Sequence, residues 1–566
     1  MLPPSSARRR KPLSSAPLTA DARPLLAVGV AFEEAADEGM WIAVHHDVPT
    51  SRVSRTVVDL LTAMDGETGL RDLHRRFAAS ESMESFLHLV QRFRASGLLE
   101  GDTNLPPGRV TYRPPFTVQI ATLRAPAIFR RLDRLVFPLS RRPLQAAVAV
   151  LMCLGLVAAI LQVRDLLNVL SRPLPLPDLV ILVTALSLMT LLHETAHGLT
   201  LTRFGGRPRR AGFMLFYLTP AFFVDVTDGW RLPGRWQRVA VALAGPAVHA
   251  VVAAIALLAA LMLPQPAVDH TLLLLALSCI AIVVVNLVPF VRFDGYIALM
   301  SALDEPNLRG RAIRDGANSL TRFLFGGPQL SKNVDRWWSV PFGLASLLAP
   351  IALVLFAVAR IGRALAGGGP ALGLLVVALE AVVVLVGIVI LVRALHRVLR
   401  SSVSRPRFFA VISALVAGGV IAGASIPVPL VTTLGFITDG DRVVLVRTGG
   451  KAQSDVPEGA RVVLMNTGLL ANEQVGDGTV TPQRPQPTKV PLDALFPVAA
   501  EGVSVPAAVV AGVDVSAGVG ILPSAGQARV ELGVGSLWQS LWATGVTVPL
   551  SGLQNEKEKQ ERDDDE

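Results

Sequence analysis

The stretch "LLHETAHG", residues 191–198, ends an apolar run that begins near Leu179. A run of this kind reaches the roughly 20 mostly apolar residues that a helix needs to cross a bilayer. Two histidines and a glutamate are costly in hydrocarbon, and ionisable residues inside a span usually serve a function. The stretch therefore predicts a membrane fold and, at the end of one helix, a chemical site.

The charged motif in this run has the spacing of a metal site. Residues four apart lie on one face of a helix, so His193 and His197 can bind the same metal ion. Glu194 can reach a water molecule on that ion and act as its base, which is the chemical meaning of H-E-x-x-H. Such a pattern also arises by chance on soluble helices, but its position in an apolar span favours the metal site.

A hydrolytic zinc site takes three protein ligands and keeps a fourth position open. Asp269 and His270 lie at the opposite face of the membrane, about 30 Å away, and are excluded as the third ligand. His249 and Glu380 lie deep in other predicted spans, and each is a ligand only if its helix enters the site.

Asp294 is better placed as the third ligand. It lies in "NLVPFVRFDGY", residues 286–296, at the end of a span that runs in the same direction as the one that carries the histidines. Pro289 should end that helix, and Gly295 should allow the chain to turn sharply. Asp294 is therefore predicted at the same depth as the two histidines.

The distribution of arginine orients the chain. Arg-rich segments precede the first predicted span and follow every second one, whereas the opposite loops contain only Arg164, Arg172 and Arg363. This asymmetry predicts a cytoplasmic N-terminus and a C-terminal part outside.

The segment 211–226 is apolar but too short to cross, which predicts a re-entrant hairpin. Seven spans are predicted, at 144–163, 178–200, 237–263, 271–292, 338–360, 371–395 and 408–428.

The predicted fold class is a polytopic α-helical membrane protein with a soluble domain at each end of a transmembrane core, residues 144–428. Residues 41–101 combine a strand-like stretch with three amphipathic helices, which indicates a small winged-helix-like α/β domain. Residues 430–550 are rich in Val, Gly and Pro and contain runs such as "DRVVLVR", which predict a β-rich extracytoplasmic domain. Residues 1–30 and the acidic tail 551–566 are predicted to be disordered.

Charge and cysteine content exclude other classes of protein. The net charge is +9, but the arginines cluster between apolar runs and not with stacked aromatic residues, so no nucleic-acid partner is expected. Cys153 and Cys279 both lie in apolar runs and form neither a disulfide framework nor a cysteine metal site. The preference for Arg over Lys, with abundant Ala, Val and Gly, is typical of a GC-rich bacterial source.

Two motifs together resemble the signatures of the site-2-protease family of intramembrane zinc metallopeptidases. The first is "HETAH", residues 193–197, and the second is "NLVPFVRFDG", residues 286–295. The second motif of the family reads N-x-x-P-x-x-x-x-D-G. All of its fixed positions match in this chain, namely Asn286, Pro289, Asp294 and Gly295.

The resemblance implies a set of roles for these residues. His193, His197 and Asp294 would bind Zn²⁺. Glu194 would activate the bound water, and Asn286 would lie beside the site and help to hold the substrate or the oxyanion. The activity implied is that of a zinc metalloendopeptidase which cleaves membrane-associated peptides or proteins near the cytoplasmic boundary of a bacterial inner membrane.

Other segments resemble one branch of the same family, in which a PqqD-like domain precedes the membrane core and an adaptor-like part follows it. Residues 41–101 are similar to PqqD-like modules, which bind peptides during peptide maturation. "ALAGPAVHA", residues 242–250, resembles the family's Gly-Pro segment, with His249 where many relatives have an amide. Asp225 and Asp228 are interpreted equally well as substrate contacts, structural contacts or a helix cap. Partners in peptide maturation or export are expected from this branch.

A different class of function is also compatible with these domains. Both terminal domains are binding modules, so the chain could be a non-catalytic membrane component of a peptide maturation or export assembly. Glu194 argues against this alternative, because a closed structural zinc site has no use for a base. A transporter is disfavoured by the lack of a half repeat, and a membrane iron oxygenase would need more histidines in the spans.

Overall fold

The computed structural model describes fifteen segments of the chain. The expectations for residues 1–17 and for the acidic tail 551–566 lie outside them. The described residues are 18–34, 40–45, 48–100, 109–113, 117–136, 142–216, 219–263, 266–326, 331–365, 370–401, 403–440, 442–448, 456–468, 472–516 and 522–547.

The N-terminal unit is a three-stranded antiparallel sheet packed on three helices. The side chains of Leu61, Met64, Leu70 and Phe86 fill its core and are fully buried. The third helix is capped by Ser82, whose hydroxyl accepts from the Ser85 N–H, and Gly97 with positive φ follows its end. In chain order the elements are β1 (Val30–Glu34), β2 (Met40–His45), β3 (Val48–Ser54), α1 (Arg55–Thr62), α2 (Leu70–Phe77) and α3 (Met83–Ala95).

This unit begins earlier than residue 41. Leu26 and Ala27 donate hydrogen bonds to the carbonyl oxygens of Met64 and Leu98, and Leu18 packs against the core. The expected disorder of residues 1–30 therefore does not extend over residues 18–30. The segment is rich in Pro and Ser, but its few apolar side chains are enough to hold it against the core of the N-terminal unit.

Seven helices of the described chain are long and apolar enough to cross a membrane, close to the positions predicted. They are α5 (Arg142–Leu161), α7 (Leu176–Arg203), α8 (Arg235–Met262), α9 (Pro266–Leu287), α12 (Ser339–Leu365), α13 (Pro370–Leu399) and α14 (Arg405–Ser425). A further helix, α4 (Ala125–Val136), precedes them, and three others lie between them, which are α6 (Val163–Ser171), α10 (Asp294–Leu303) and α11 (Leu308–Phe325).

The predicted hairpin at 211–226 is part of a four-stranded antiparallel sheet. Its strands pair with each other, and the first also pairs with a strand that precedes the transmembrane core, giving the order β4-β5-β7-β8. Sequence analysis missed the first two strands. The elements are β4 (Val110–Arg113), β5 (Thr117–Thr122), β7 (Ala211–Phe216) and β8 (Thr219–Val224).

The C-terminal region is a closed β-barrel, which agrees with the predicted β-rich domain. Six strands pair in the ring β10-β9-β16-β11-β12-β15, which closes because β15 also pairs with β10. Phe436, Leu445 and Leu464 fill its interior. The strands are β9 (Pro427–Asp439), β10 (Arg442–Thr448), β11 (Arg461–Met465), β12 (Gln474–Thr481), β15 (Ser504–Val515) and β16 (Ala525–Ser536), and β13 (Gln486–Pro491) extends the sheet from β15.

Two small features join the barrel to the helices. Strand β14 (Val498–Ala499) pairs in parallel with β6 (Leu174–Pro175), which immediately precedes α7. After β16 the chain forms α15 (Leu537–Trp542) and a π-helical turn, Ala543–Thr547. The barrel is therefore tied to α7 at the end opposite the H-E-x-x-H motif.

Candidate metal centre

Helix α7 brings two histidine side chains together. The Nε2 atoms of His193 and His197 lie 3.1 Å apart, one helical turn from each other, as the i, i+4 spacing predicts. The two residues are only 8% and 6% exposed. Two buried imidazole nitrogens at this distance share either a hydrogen or a metal ion between them.

Asp294 reaches the same point from a different part of the chain. Helix α9 ends at Leu287, two residues before Pro289, and the chain turns so that Asp294 becomes the first residue of α10. Its carboxylate oxygens lie 3.1 Å from His193 Nε2 and 3.5 Å from His197 Nε2. The structure thus brings together the three residues that the sequence singled out as metal ligands.

Gly295 was expected to allow a sharp turn of the chain, but it has a different role in the structure. It lies in the first turn of a regular helix and is not among the residues with positive φ. A Cβ atom at this position would lie 2.4 Å from the Leu287 carbonyl oxygen. Glycine is therefore required here for the close approach of α10 to the end of α9, and not for a sharp turn.

The three residues fit a zinc ion. Ligand atoms about 2.0–2.2 Å from a tetrahedral zinc lie roughly 3.3 Å from one another, close to the three distances observed. Two imidazoles and one carboxylate are a ligand set that catalytic zinc sites use, with a fourth position open to water. Within the described chain this is the one group of three His, Cys, Asp or Glu residues arranged to hold a metal ion.

Helix α8 forms the wall behind the histidines. A Cβ atom at Gly245 would lie 2.4 Å from His197 Nε2 and 2.5 Å from His193 Nε2, so only glycine leaves room there. On the same helix, the carbonyl oxygen of Val241 lies 2.6 Å from His197 Nδ1. A carbonyl oxygen can only accept, so Nδ1 carries the hydrogen and Nε2 presents its lone pair to a metal ion.

The carboxylate of Glu194 is held beside this group by the neighbouring sheet. Its Oε2 atom accepts a hydrogen bond of 3.1 Å from the backbone N–H of Val224, at the end of β8. The side chain is half-buried, so it is shielded from bulk water without being enclosed. This contact fixes the position of the one carboxylate in the motif that is not a metal ligand.

Asp294 is ionised at neutral pH. Burial alone would raise its pKa, but the adjacent imidazoles of His193 and His197 outweigh burial and lower the pKa of Asp294 to about 2. The carboxyl group therefore presents negative oxygens, the form that binds metal ions.

The remaining sequence candidates divide between residues near the site and residues far from it. His249 lies near, since its ring centroid is 5.3 Å from that of His193 and the residue is buried. His270 bonds to Asp178 at the far end of α7, and Glu380 lies against Gly545. Asn286 is half-buried at the end of α9, and among the described residues no hydrogen bond joins its amide to the metal-ligand group.

Asp225 and Asp228 make structural contacts. Asp225 accepts from the N–H and hydroxyl of Thr227. Asp228 is buried and accepts from the Arg207 N–H and from the Arg231 guanidinium.

The contributions of Val224, Val241 and Gly245 to the site were not predicted from the sequence. Each acts through its backbone or through a missing side chain, so residue chemistry offered no signal. The Gly-Pro pair within an apolar helix was the one visible sign at Gly245.

Comparison of the chain with protein-family models, with curated proteins and with solved structures gave no match. What the protein does must therefore be inferred from the residues of this site.

Proposed function

We propose that the chain is a membrane-embedded zinc metalloendopeptidase of the site-2-protease type, which hydrolyses peptide bonds of membrane-associated peptides or proteins. The observation that carries this proposal is the convergence of His193, His197 and Asp294, with Glu194 held next to them. Metal ligands alone would fit a structural site. The additional, positioned carboxylate favours hydrolysis.

Zinc bound by the three ligands would supply an activated water and polarise the scissile carbonyl group. Glu194 is placed to act as the general base, and would accept a proton from that water and return it to the leaving amine. The Val224 N–H keeps the Glu194 carboxylate oriented, and the Val241 carbonyl keeps His197 in the tautomer that binds metal. The water enters from the polar side, where α7 ends in Arg203.

The proposed location is a bacterial inner membrane, with the metal site near the cytoplasmic face. Seven apolar helices and the concentration of arginine at one end of them support this orientation. The N-terminal unit would then be cytoplasmic and the barrel outside. The lipid bilayer is thus a partner of the whole helical core.

The outer edge of β8 is suited to an extended peptide substrate. Asp225 directs its N–H and carbonyl towards the β7 side, and Val224 directs its N–H away from it, to Glu194. By the alternation of a strand, the N–H of Phe222 points to the same outer side as Val224, whereas Pro220 has no N–H. A substrate strand paired at Phe222 would lie directly beside Glu194.

The test is the metal content and peptidase activity of the purified protein and two variants. One zinc per chain is expected in the wild type and in Glu194→Gln, with loss in Asp294→Ala. Hydrolysis of a quenched-fluorescent library of apolar peptides is expected only in the wild type. No zinc in folded wild-type protein would overturn the proposal. Zinc without hydrolysis would favour the non-catalytic component of a peptide maturation or export assembly.

A further inference from the structure

The segment that follows the barrel turns back along the apolar helices. The Leu537 N–H donates to the Ile426 carbonyl, and Trp538 Nε1 donates to the Val420 carbonyl of α14 at 3.3 Å. Helix α15 begins with a capping box between Ser536 and Gln539, so its direction is set as soon as β16 ends. The segment Leu537–Thr547 therefore belongs to the helical core as much as to the barrel.

The Trp538 indole rests in the space that Gly423 of α14 leaves, which is called its seat below. A Cβ atom at Gly423 would lie 2.0 Å from Trp538 Nε1, whereas Cβ atoms at Gly418 and Gly419 of the same helix would meet nothing within 4 Å. The missing side chain is thus needed at the one position where the indole rests. The Trp538 indole therefore packs closely against α14 at Gly423.

The other end of the segment reaches deep along α13. A Cβ atom at Gly545 would lie 2.9 Å from Glu380 Oε2. Glu380 is about 15 Å along α13 from Pro370, at 1.5 Å per residue. The segment therefore extends well inside the layer that the apolar helices define, and not along its surface.

The outer face of the segment is apolar and continues the apolar faces of its neighbours. Leu541 and Trp542 are 53% and 66% exposed, and Val416 and Val420 of α14 are exposed as well. The sequence has no charged residue between Glu531 and Glu556. A surface of this kind, shared with helices that are apolar enough to cross a membrane, is suited to lipid acyl chains.

We propose that Leu537–Thr547 is a re-entrant membrane anchor, with Leu541 and Trp542 among the lipid acyl chains of the leaflet next to the barrel. The barrel would then be attached to the bilayer at both ends, through α14 before β9 and through the anchor after β16. The extracytoplasmic domain expected over 430–550 ends in the membrane. The inference rests on the membrane location proposed above but not on catalysis.

The test is the environment of a spin label at position 541 in the full chain, reconstituted in phosphatidylcholine vesicles. Cys153→Ala and Cys279→Ala remove the native thiols, and Leu541→Cys supplies a single labelling site. Molecular oxygen concentrates among acyl chains, whereas a neutral nickel chelate stays in water. The label is expected to collide with oxygen several times more often than with nickel.

Two reference positions make the outcomes distinct. Leu385→Cys, exposed on α13, reports lipid, and Asp439→Cys, at the far end of β9 about 40 Å from its start, reports water. Nickel access at 541 equal to that at 439 would overturn the anchor while leaving the membrane location intact. Water at 385 would remove the membrane location itself. Exclusion of both probes from 541 would show a protein partner, such as a second copy, and overturn the lipid contact.

The seat for Trp538 has its own matched pair of variants. Gly423→Val should displace the indole and move the label at 541 towards water, whereas Gly419→Val on the same helix should leave it unchanged. An unchanged label in both variants would show that the seat does not hold the anchor.

Discussion

At the scale of single residues, Gly245 leaves the space that the two proposed histidine ligands occupy. A methyl group in Gly245→Ala would lie within about 2.5 Å of both histidine Nε2 atoms. We expect zinc content after dialysis against a chelator to fall severalfold, because the methyl group would displace both ligand nitrogens. Gly387→Ala on α13, where a Cβ atom meets nothing within 4 Å, should keep its zinc. A full zinc complement in folded Gly245→Ala would show that a side chain at this position does not obstruct metal binding.

Asp315 carries a prediction about pH. It is buried on α11 and accepts from the Asn333 and Val334 N–H groups and from the Asn333 amide. Burial raises the pKa of Asp315, but these hydrogen bonds outweigh burial and lower it. The ionised form therefore stabilises the fold above the unfolded pKa of about 3.9, and this contribution is lost as the pH falls through the folded value.

Asp315→Asn should consequently destabilise the protein by about 1–3 kcal/mol at pH 7, because the amide nitrogen faces donors. The difference from wild type in apparent melting temperature, at one scan rate in detergent, should shrink as the pH is lowered below 4. Asp335→Asn, an exposed neighbour, is the control and should melt as the wild type does. An equal effect of Asp315→Asn at all pH values would show that charge is not involved.

The residues that meet at the site could be predicted in part from the sequence. The i, i+4 histidines needed only helical geometry, and Asp294 needed only the direction of its span and a helix break at Pro289. The contact of His249 with His193 could not be predicted, because the rotation of one helix against another is not visible in the sequence. The same holds for Val241, whose carbonyl acts regardless of its side chain.

At the scale of elements, Arg309 of α11 anchors the loop between α9 and α10 and thereby positions Asp294. Its guanidinium donates to the Phe290 carbonyl at 2.9 Å and to the Ser346 carbonyl of α12 at 2.8 Å. Arg309→Gln should weaken zinc binding by about tenfold, and Arg309→Lys by less, as judged by competition with a chelator. Arg311→Gln, which loses contacts to Glu305 and Asn333 instead, is the control. Equal zinc affinity in Arg309→Gln and Arg311→Gln would remove this role.

Strand β8 carries the prediction about substrate. Phe222→Pro removes the outward N–H, and proline is tolerated in edge strands. Loss of one hydrogen bond of about 1 kcal/mol should raise KM for peptides about fivefold without changing zinc content. Phe222→Ala removes the same side chain, including its ring contact with Phe213, but keeps the N–H. Identical KM values in the two variants would show that the edge does not pair with substrate.

Sequence analysis recognised the hairpin but not the sheet to which it belongs. The strands β4 and β5 are short, and β5 pairs with a hairpin about ninety residues further along the chain. Hydropathy could identify 211–226 as too short to cross the membrane, but only the register with β5 explains why it is flat and extended. Whether the hairpin enters the bilayer stays a prediction.

At the scale of the whole molecule, the seven helices were predictable because each reaches the length that a bilayer requires. The closure of the barrel was not, since it depends on the pairing of β10 with β15 across most of the domain. The parallel contact of β14 with β6, only two residues long, was equally invisible. Such contacts determine how the soluble parts are attached to the core, and they arise from tertiary structure alone.

An ion pair between Glu33 and Arg231 attaches the N-terminal unit near the candidate metal site. Both oxygens of Glu33 on β1 accept 2.8 Å bonds from Arg231, whose guanidinium also binds the buried Asp228, between β8 and α8. Because the pair is partly exposed, Glu33→Gln should cost no more than about 1 kcal/mol. Amide hydrogen exchange over 227–231 should then be up to about fivefold faster, whereas Glu34→Gln, on the adjacent exposed residue, should change nothing. Equal exchange in both variants would mean that the position of the N-terminal unit is independent of this charge.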